Sequence, residues 1–410
     1  MMPRIRSVRR LFFGAPAALE SAALVPAAEV AARGKVAGKR VGRVSLGVAA
    51  LAALVGLAGC YGHHVFFISG QPVVNNALWV ANGTSVLEFL PSQLTNGTSD
   101  PAPHFTLTSS VFGAPQGVMF DNFGDLWVVD GGTVASGGMV APALYEFTVK
   151  QLSQLGTTSA PTPAVTIQSS NFKFPQQAAF DQRGNLWVSD NGNNQVYVFT
   201  RSQLVMSSTT AVPDVIMTSG TAFNGPIGIA FDGGGDLFVA NNAGNTIYGF
   251  TASSLPNLNV ATQVTTPNGP PPVSVTPTVV LSNSSNSIQG PWGLAFDGRG
   301  NLWSSNAGAA NTVVEFTRSQ IAATGSPTPN ITLASATVSS NATLVAPNGI
   351  GFDDFGDLAA VSSAAPFGVA GFGPAQLQSN PTSALTPDVF LVGSTTTLNA
   401  PAGVTFGPSY

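Results

Sequence analysis

The chain has 410 residues, with 45 Gly, 30 Pro and only 8% charged side chains. Residues 1–59 hold nine Lys/Arg against two Glu, a net charge of +7, whereas from residue 60 onward six Lys/Arg face 17 Asp/Glu, a net of −11. A body this acidic lacks the clustered cations that phosphate contacts need, which excludes nucleic acid as a partner; one Cys and three His exclude a disulfide framework or thiolate metal cluster and leave little for a histidine metal site.

The first segment is a leader, residues 1–59. The basic stretch Arg33 to Arg43 precedes the apolar run Val44–Gly59, which is too short for a comfortable membrane span of about 20 residues. Basic region, apolar region and small residues at the end are the parts of a secretory signal. Leu57-Ala58-Gly59-Cys60 resembles the bacterial lipobox. That resemblance implies cleavage before Cys60, acylation there (palmitate or similar chains), and anchoring to the lipid bilayer of the cell envelope. Tyr61 in place of Asp implies outer-membrane sorting, facing the periplasm or the cell surface. Arg9-Arg10-Leu11-Phe12-Phe13 is similar to a twin-arginine motif but lies more than thirty residues from the apolar run, so the expected start lies downstream of residue 1. Residues 60–72 read as the lipidated Cys and a tether, and 73–410 as the folded domain.

Next come internal repeats. The phrase Pro-x-Gly-apolar-x-Phe occurs at 115–120, 226–231, 291–296, 347–352 and 401–406, with a Gln177 variant at 175–180; the spacings are 60, 51, 65, 56 and 54 residues. The first five copies run into Asp-x-x-Gly-(Asp/Asn)-Leu, starting at Asp121, Asp181, Asp232, Asp297 and Asp353. Asp at the first and Gly at the fourth position is turn chemistry, so strands one and two form a hairpin. Strand two ends in a small polar residue: Asp130, Asp190, Asn241, Asn306 or Ser362. After strand three, Thr-x-x-Gln at 148, 200 and 317 is a capping box opening one helical turn before strand four.

Four strands per unit predict an all-β, six-bladed β-propeller. The ends support the number. The N-terminal part opens with strands two to four only, at Leu78–Asn82, Val86–Phe89 and Pro103–Leu107, and the C-terminal part supplies strand one only, Pro401–Phe406. Strand one therefore joins strands two to four from the far end of the chain and closes the ring, leaving no open sheet edge.

The phrase Phe180–Asp190 followed by Asn194-Gln195-Val196 resembles the NHL repeat. Members of that family usually carry a cation before strand three, where this chain has Gln195, Thr246 or Thr312, so the RNA binding of some members is not implied. A second resemblance is to gluconolactonase/regucalcin propellers, in which an Asn or Asp in a Pro-x-Gly-like phrase holds a divalent metal. Pro347-Asn348-Gly349 matches, but the equivalent positions are Gln116, Gln176, Ile227, Trp292 and Ala402, with no carboxylate among them. One neutral amide is too little for a hard cation, so no metal and no cofactor are expected. Streptogramin lyases are also similar and depend on a histidine base, whereas His63, His64 and His104 fall in the tether and an outermost strand.

Strand one starts, and strand two ends, on one face. Two rings should line that mouth: Gln116, Gln176, Ile227, Trp292, Asn348 and Ala402; and Asn82, Asp130, Asp190, Asn241, Asn306 and Ser362. An amide-rich face with one aromatic suits a neutral glycan, a peptide or a protein ligand. Two alternatives stay open: Asp/Asn in the second ring can simply cap loops through backbone bonds, and Trp292 can pack between blades. Asp130 and Asp190 have no nucleophile, His or Lys in the sequence pattern to make them an acid–base pair. Thr262–Pro277 reads as a mobile insertion and Gly131–Pro142 as a Gly-rich insertion on the mouth face. The expectation is a monomeric, envelope-anchored lipoprotein that binds or scaffolds without catalysis. The rival is a diverged lactonase-like hydrolase or lyase.

Overall fold

In the computed structural model, which describes residues 66–68, 71–73, 76–135, 138–154, 156, 158–220, 223–258, 269–284, 287–378 and 384–410, six four-stranded antiparallel sheets form the blades of a propeller. Blade 2 is Pro115–Phe120, Leu126–Asp130, Ala143–Phe147 and Val165–Gln168. Blades 3 to 6 repeat that order from Pro175–Phe180, Pro226–Phe231, Pro291–Phe296 and Pro347–Phe352. Each innermost strand packs against the next around the ring, and the sixth packs against the first. Cys60 and the leader lie outside the described residues, as do His63 and His64. Among the described residues no helix is long and apolar enough to cross a membrane.

Blade 1 is the split one. Pro401–Gly407 pairs antiparallel with Ala77–Asn82, Leu78 opposite Phe406 and Asn82 opposite Pro401. The Trp79 indole N–H donates to the Pro408 carbonyl at 3.2 Å, and the Tyr410 hydroxyl to the Gly124 carbonyl at 2.6 Å. The first and last strands of the propeller are thereby tied into one sheet.

The repeat phrases have visible physical causes. Each turn Asp accepts two backbone N–H groups, from the residues two and four positions on, as Asp181 does from Arg183 and Asn185 at 2.9 Å each. The Gln of each capping box accepts from the residue three positions back and donates to the loop entering strand four; Gln203 bonds Thr200 N–H at 3.0 Å and the Val212 carbonyl at 2.7 Å. Gln93 and Gln376 do the same without the Thr that marked the motif in the sequence.

Six apolar cores sit between blades rather than at one centre. An edge-on aromatic pair recurs in five of them. It joins strand two of one blade to the end of strand one of the next: Trp79–Phe120, Trp127–Phe180, Trp187–Phe231, Phe238–Phe296 and Trp303–Phe352, with centroids 5.4–6.0 Å apart. Between blades 6 and 1 the equivalent of the first ring is Ala359, and a cavity of about 140 Å³ lies beside it against Phe406.

The outer rim adds a feature the repeat did not announce. In blades 1 to 5 the connection between strands three and four lies parallel along the outermost strand of the preceding blade. Thr158–Ser159 pairs with Thr106–Leu107, Val273–Val275 with Met217–Ser219, and Gly97–Ser99 with Val389–Leu391; Ser208 and Gly325 make single bridges to Ile167 and Leu281. Val273–Val275 thus forms a strand inside the segment 262–277 that composition marked as a mobile insertion. Residues 133–135 and 138–140 likewise pair as a short hairpin within the Gly-rich insertion, and Phe66–Ile68 pairs with Gln71–Val73 in the stretch read as a tether.

Candidate functional site

The second ring of the mouth is buried: Asp130, Asp190, Asn306 and Ser362 are 0% exposed, Asn241 2% and Asn82 5%. Each of these side chains reaches the loop that enters strand one of its own blade. Asp130 accepts from Gly113, Ala114 and Gly132 N–H at 2.7–3.0 Å. Asp190 accepts from Lys173, Phe174 and Asn193 N–H at 2.8–3.2 Å. Asn306 accepts from Gln289 N–H and donates to the Ser287 carbonyl, Ser362 bridges Val345 and Thr343, and Asn82 accepts from Asn399 N–H and donates to the Thr397 carbonyl. Burial pushes the Asp130 and Asp190 carboxyls up from their ordinary value, and the backbone donors pull them partly back. The capping alternative read from the sequence is therefore the geometry seen in all six blades.

A third set of amides, which sequence reasoning passed over, locks neighbouring blades together. Asn194, Asn245 and Asn311 sit at φ 55°, 49° and 49° and accept from Gly225, Gly290 and Ala346 N–H of the next blade, each at 2.7 Å. Asn tolerates that left-handed backbone better than most residues, which is the signal that could have found them.

The first ring divides into two. Gln116 and Asn348 are half-buried at the mouth, and Gln116 donates to the Ala114 carbonyl at 3.3 Å. Ile227, Trp292 and Ala402, each 6% exposed, pack on one another from blades 4, 5 and 1, with Ala307 alongside. Blades 4 and 1 are opposite in a ring of six, so the Trp292 side chain fills the axis between them. Gln176 is 3% exposed. Below it the Gln177 amide donates to the Gln116 carbonyl at 2.7 Å, and the Ser189 and Ser305 hydroxyls donate to the Ile227 and Asn348 carbonyls of the following blades. Phe174, 39% exposed, is the large apolar side chain at the edge of this face, packed near Gly131 and Gln116.

Carboxylates gather instead on the opposite face, at the turn aspartates. Glu88, Glu146 and Glu315 share one repeat position, the penultimate residue of strand three. Glu88 pairs with His104 at 2.9 Å, and Glu315 accepts from Asn301 and Asn330 at 2.7 and 2.6 Å. Glu146 stands beside Asp121 and Asp125, and oxygens of the three lie within 4.8 Å of one another. Burial and these two like charges push Glu146 up to about 7. Of the described residues, this trio is the grouping of His, Cys, Asp or Glu with metal-ligand spacing.

No protein-family profile and no curated protein sequence matches the chain. Solved structures do. A protein of unknown function from Bacteroides caccae aligns over 82% of this chain and 100% of its own, with a TM-score of 0.52 at 9% identity. The nidogen/laminin complex aligns over 81% and 98%, with a TM-score of 0.50 at 13% identity. A streptogramin B lyase aligns over 64% of this chain and 66% of the lyase, with a TM-score of 0.37 at 15% identity, so the match spans just under two thirds of the lyase. At these identities the likeness is one of fold.

Proposed function

We infer that this chain is a membrane-anchored, extracytoplasmic propeller that binds or scaffolds a partner rather than transforming a substrate. Cys60 holds it in the bacterial envelope through acyl chains, and the mouth face carries the partner. The NHL-like repeat belongs to this reading as well. The observation that carries it is how the mouth employs its polar groups. Asp130, Asp190, Asn241, Asn306 and their two counterparts are buried and bonded to backbone, and Trp292 fills the axis. A catalytic base needs an accessible lone pair near a reacting atom, and these groups offer theirs to N–H donors. What the face presents outward is a set of rigidly held loops, with Gln116, Asn348 and Phe174 among them. Such a surface suits a neutral glycan, a peptide or a protein, bound through amides and apolar contact.

Two experiments test the reading. Cys60→Ser should release the protein or leave it unprocessed, and an intact mass showing a free thiol on the mature chain would remove the anchor from the proposal. A partner captured from envelopes should be lost with Gln116→Ala combined with Asn348→Ala, should survive a chelator, and should respond weakly to salt. The lactonase-like alternative expects the reverse: divalent-dependent ester or lactone turnover, abolished by Asn348→Ala.

A further inference from the structure

On the face opposite the mouth, a cavity of about 460 Å³ opens between blades 2 and 3. That size is in the range of small-ligand pockets. Its apolar lining is Trp127, Phe180 and Leu204, with the exposed Phe123 and Val205 at the rim. Asp121 and Glu146 lie on the blade 2 side, with Asp125 beside them. Arg183 and Arg201 lie on the blade 3 side, the Arg201 guanidinium 5.3 Å from the Phe123 ring centroid. Residues 60–410 contain six Lys/Arg, so two of the six line this one cavity.

A second observation singles out the same place. In blades 3 and 5 the strand-two tryptophans donate their indole N–H to the turn aspartates, Trp187 to Asp181 and Trp303 to Asp297, at 3.2 Å. Trp127 occupies the equivalent position in blade 2 and is 2% exposed, and its indole N–H faces Asp121 more loosely, without the aligned hydrogen bond of its siblings. The polar wall is looser here than in its siblings. An aspartate less engaged by the indole keeps more of its acceptor capacity for a ligand's donor.

We propose that this groove binds a short zwitterionic peptide. The ammonium group sits at Asp121 and Glu146, the carboxylate at Arg183 and Arg201, and the side chains lie on Phe180, Leu204 and Phe123. Separated opposite charges select a ligand carrying both, because each desolvated charge needs its own partner. A single cation or anion would satisfy one wall and leave the other facing apolar surface.

The test titrates the purified full chain with leucyl-leucine, its N-acetyl form and its C-terminal amide, read by calorimetry and tryptophan fluorescence. Each blocked form should bind about tenfold more weakly or worse. Glu146→Gln should weaken the parent dipeptide while leaving the N-acetyl form unchanged, and Arg183→Ala should do the same for the amide form. This double pattern separates lost contacts from lost folding. Arg318→Ala, which removes a cation of blade 5 outside this cavity, should change nothing. Equal affinity for the three ligands, or no saturable binding of the dipeptide, overturns the proposal.

Discussion

Gly228 shows what the Pro-x-Gly phrase is for. A Cβ there would lie 2.1 Å from the Trp292 carbonyl oxygen of the next blade, and the same relation joins Gly293 to Asn348, Gly349 to Ala402 and Gly403 to Gln116. At these four positions the innermost strands approach so closely that only hydrogen fits, whereas blade 3 carries Gln177 at the equivalent place. Gly228→Ala should therefore destabilise by about 3 kcal/mol or more, or prevent folding. Gly233→Ala, in a turn with nothing within 4 Å, should unfold within about 0.5 kcal/mol of the parent in urea. Glu146 carries a different prediction. Its folded-state value, about 7, lies above the ordinary 4.5, so the fold holds this proton more tightly than the unfolded chain does. Its stabilising contribution is complete below about 4.5 and is lost as pH rises toward 7. Urea midpoints measured at both ends of that window should fall with pH, and Glu146→Gln should flatten the trend. An unchanged slope in the variant would show that Glu146 does not drive it.

Among the elements, the interblade aromatic pair is the repeating unit of packing, and Ala359 is where it fails. The cavity of about 140 Å³ beside Ala359 and Phe406 lies where Phe238 and Trp303 place a ring between the other blades. Ala359→Phe should raise stability by about 1 kcal/mol, seen as a higher urea midpoint with an unchanged slope. A lower midpoint would mean that Leu358 and Val369, which line the same cavity, do not yield. The strands themselves were legible because turn Asp, strand Trp and Pro-x-Gly recur in sequence. The parallel rim strands were not, because Gly97–Ser99 and Val273–Val275 have no shared residue pattern; their pairing comes from where the preceding blade leaves an edge. The mouth was legible as a list of positions but not as an arrangement. Asn82, Asp130 and Asp190 could be placed at strand ends, yet burial and the backbone donors they meet depend on the loops' paths. The groove between blades 2 and 3 escaped notice because it joins a turn of one repeat to the capping box of the next.

At the scale of the whole ring, the C-terminal strand decides whether there is a ring at all. Deleting residues 398–410 removes the partner of Ala77–Asn82, the Asn399 N–H bonded to Asn82, and the buried Ala402 and Val404. The melting temperature should fall by about 10 °C or more, since several kcal/mol of apolar burial are lost at about 25 cal/mol per Å². Melting unchanged by the truncation would mean that Pro401–Gly407 does not support the ring.

The parallel strands along the outer rim have a consequence beyond the single molecule. A sheet edge with free N–H and C=O groups is a template on which another chain can polymerise. Blades 1, 3 and 6 have their outermost strands covered by neighbouring backbone, blades 2 and 4 are bridged there, and Gly97–Ser99 performs this service for blade 6 across the point where the circle begins. Among the described residues the outermost strand of blade 5, Ile331–Ala334, is the one left without such cover, so molecules packed side by side at high density have few places to zip into one another.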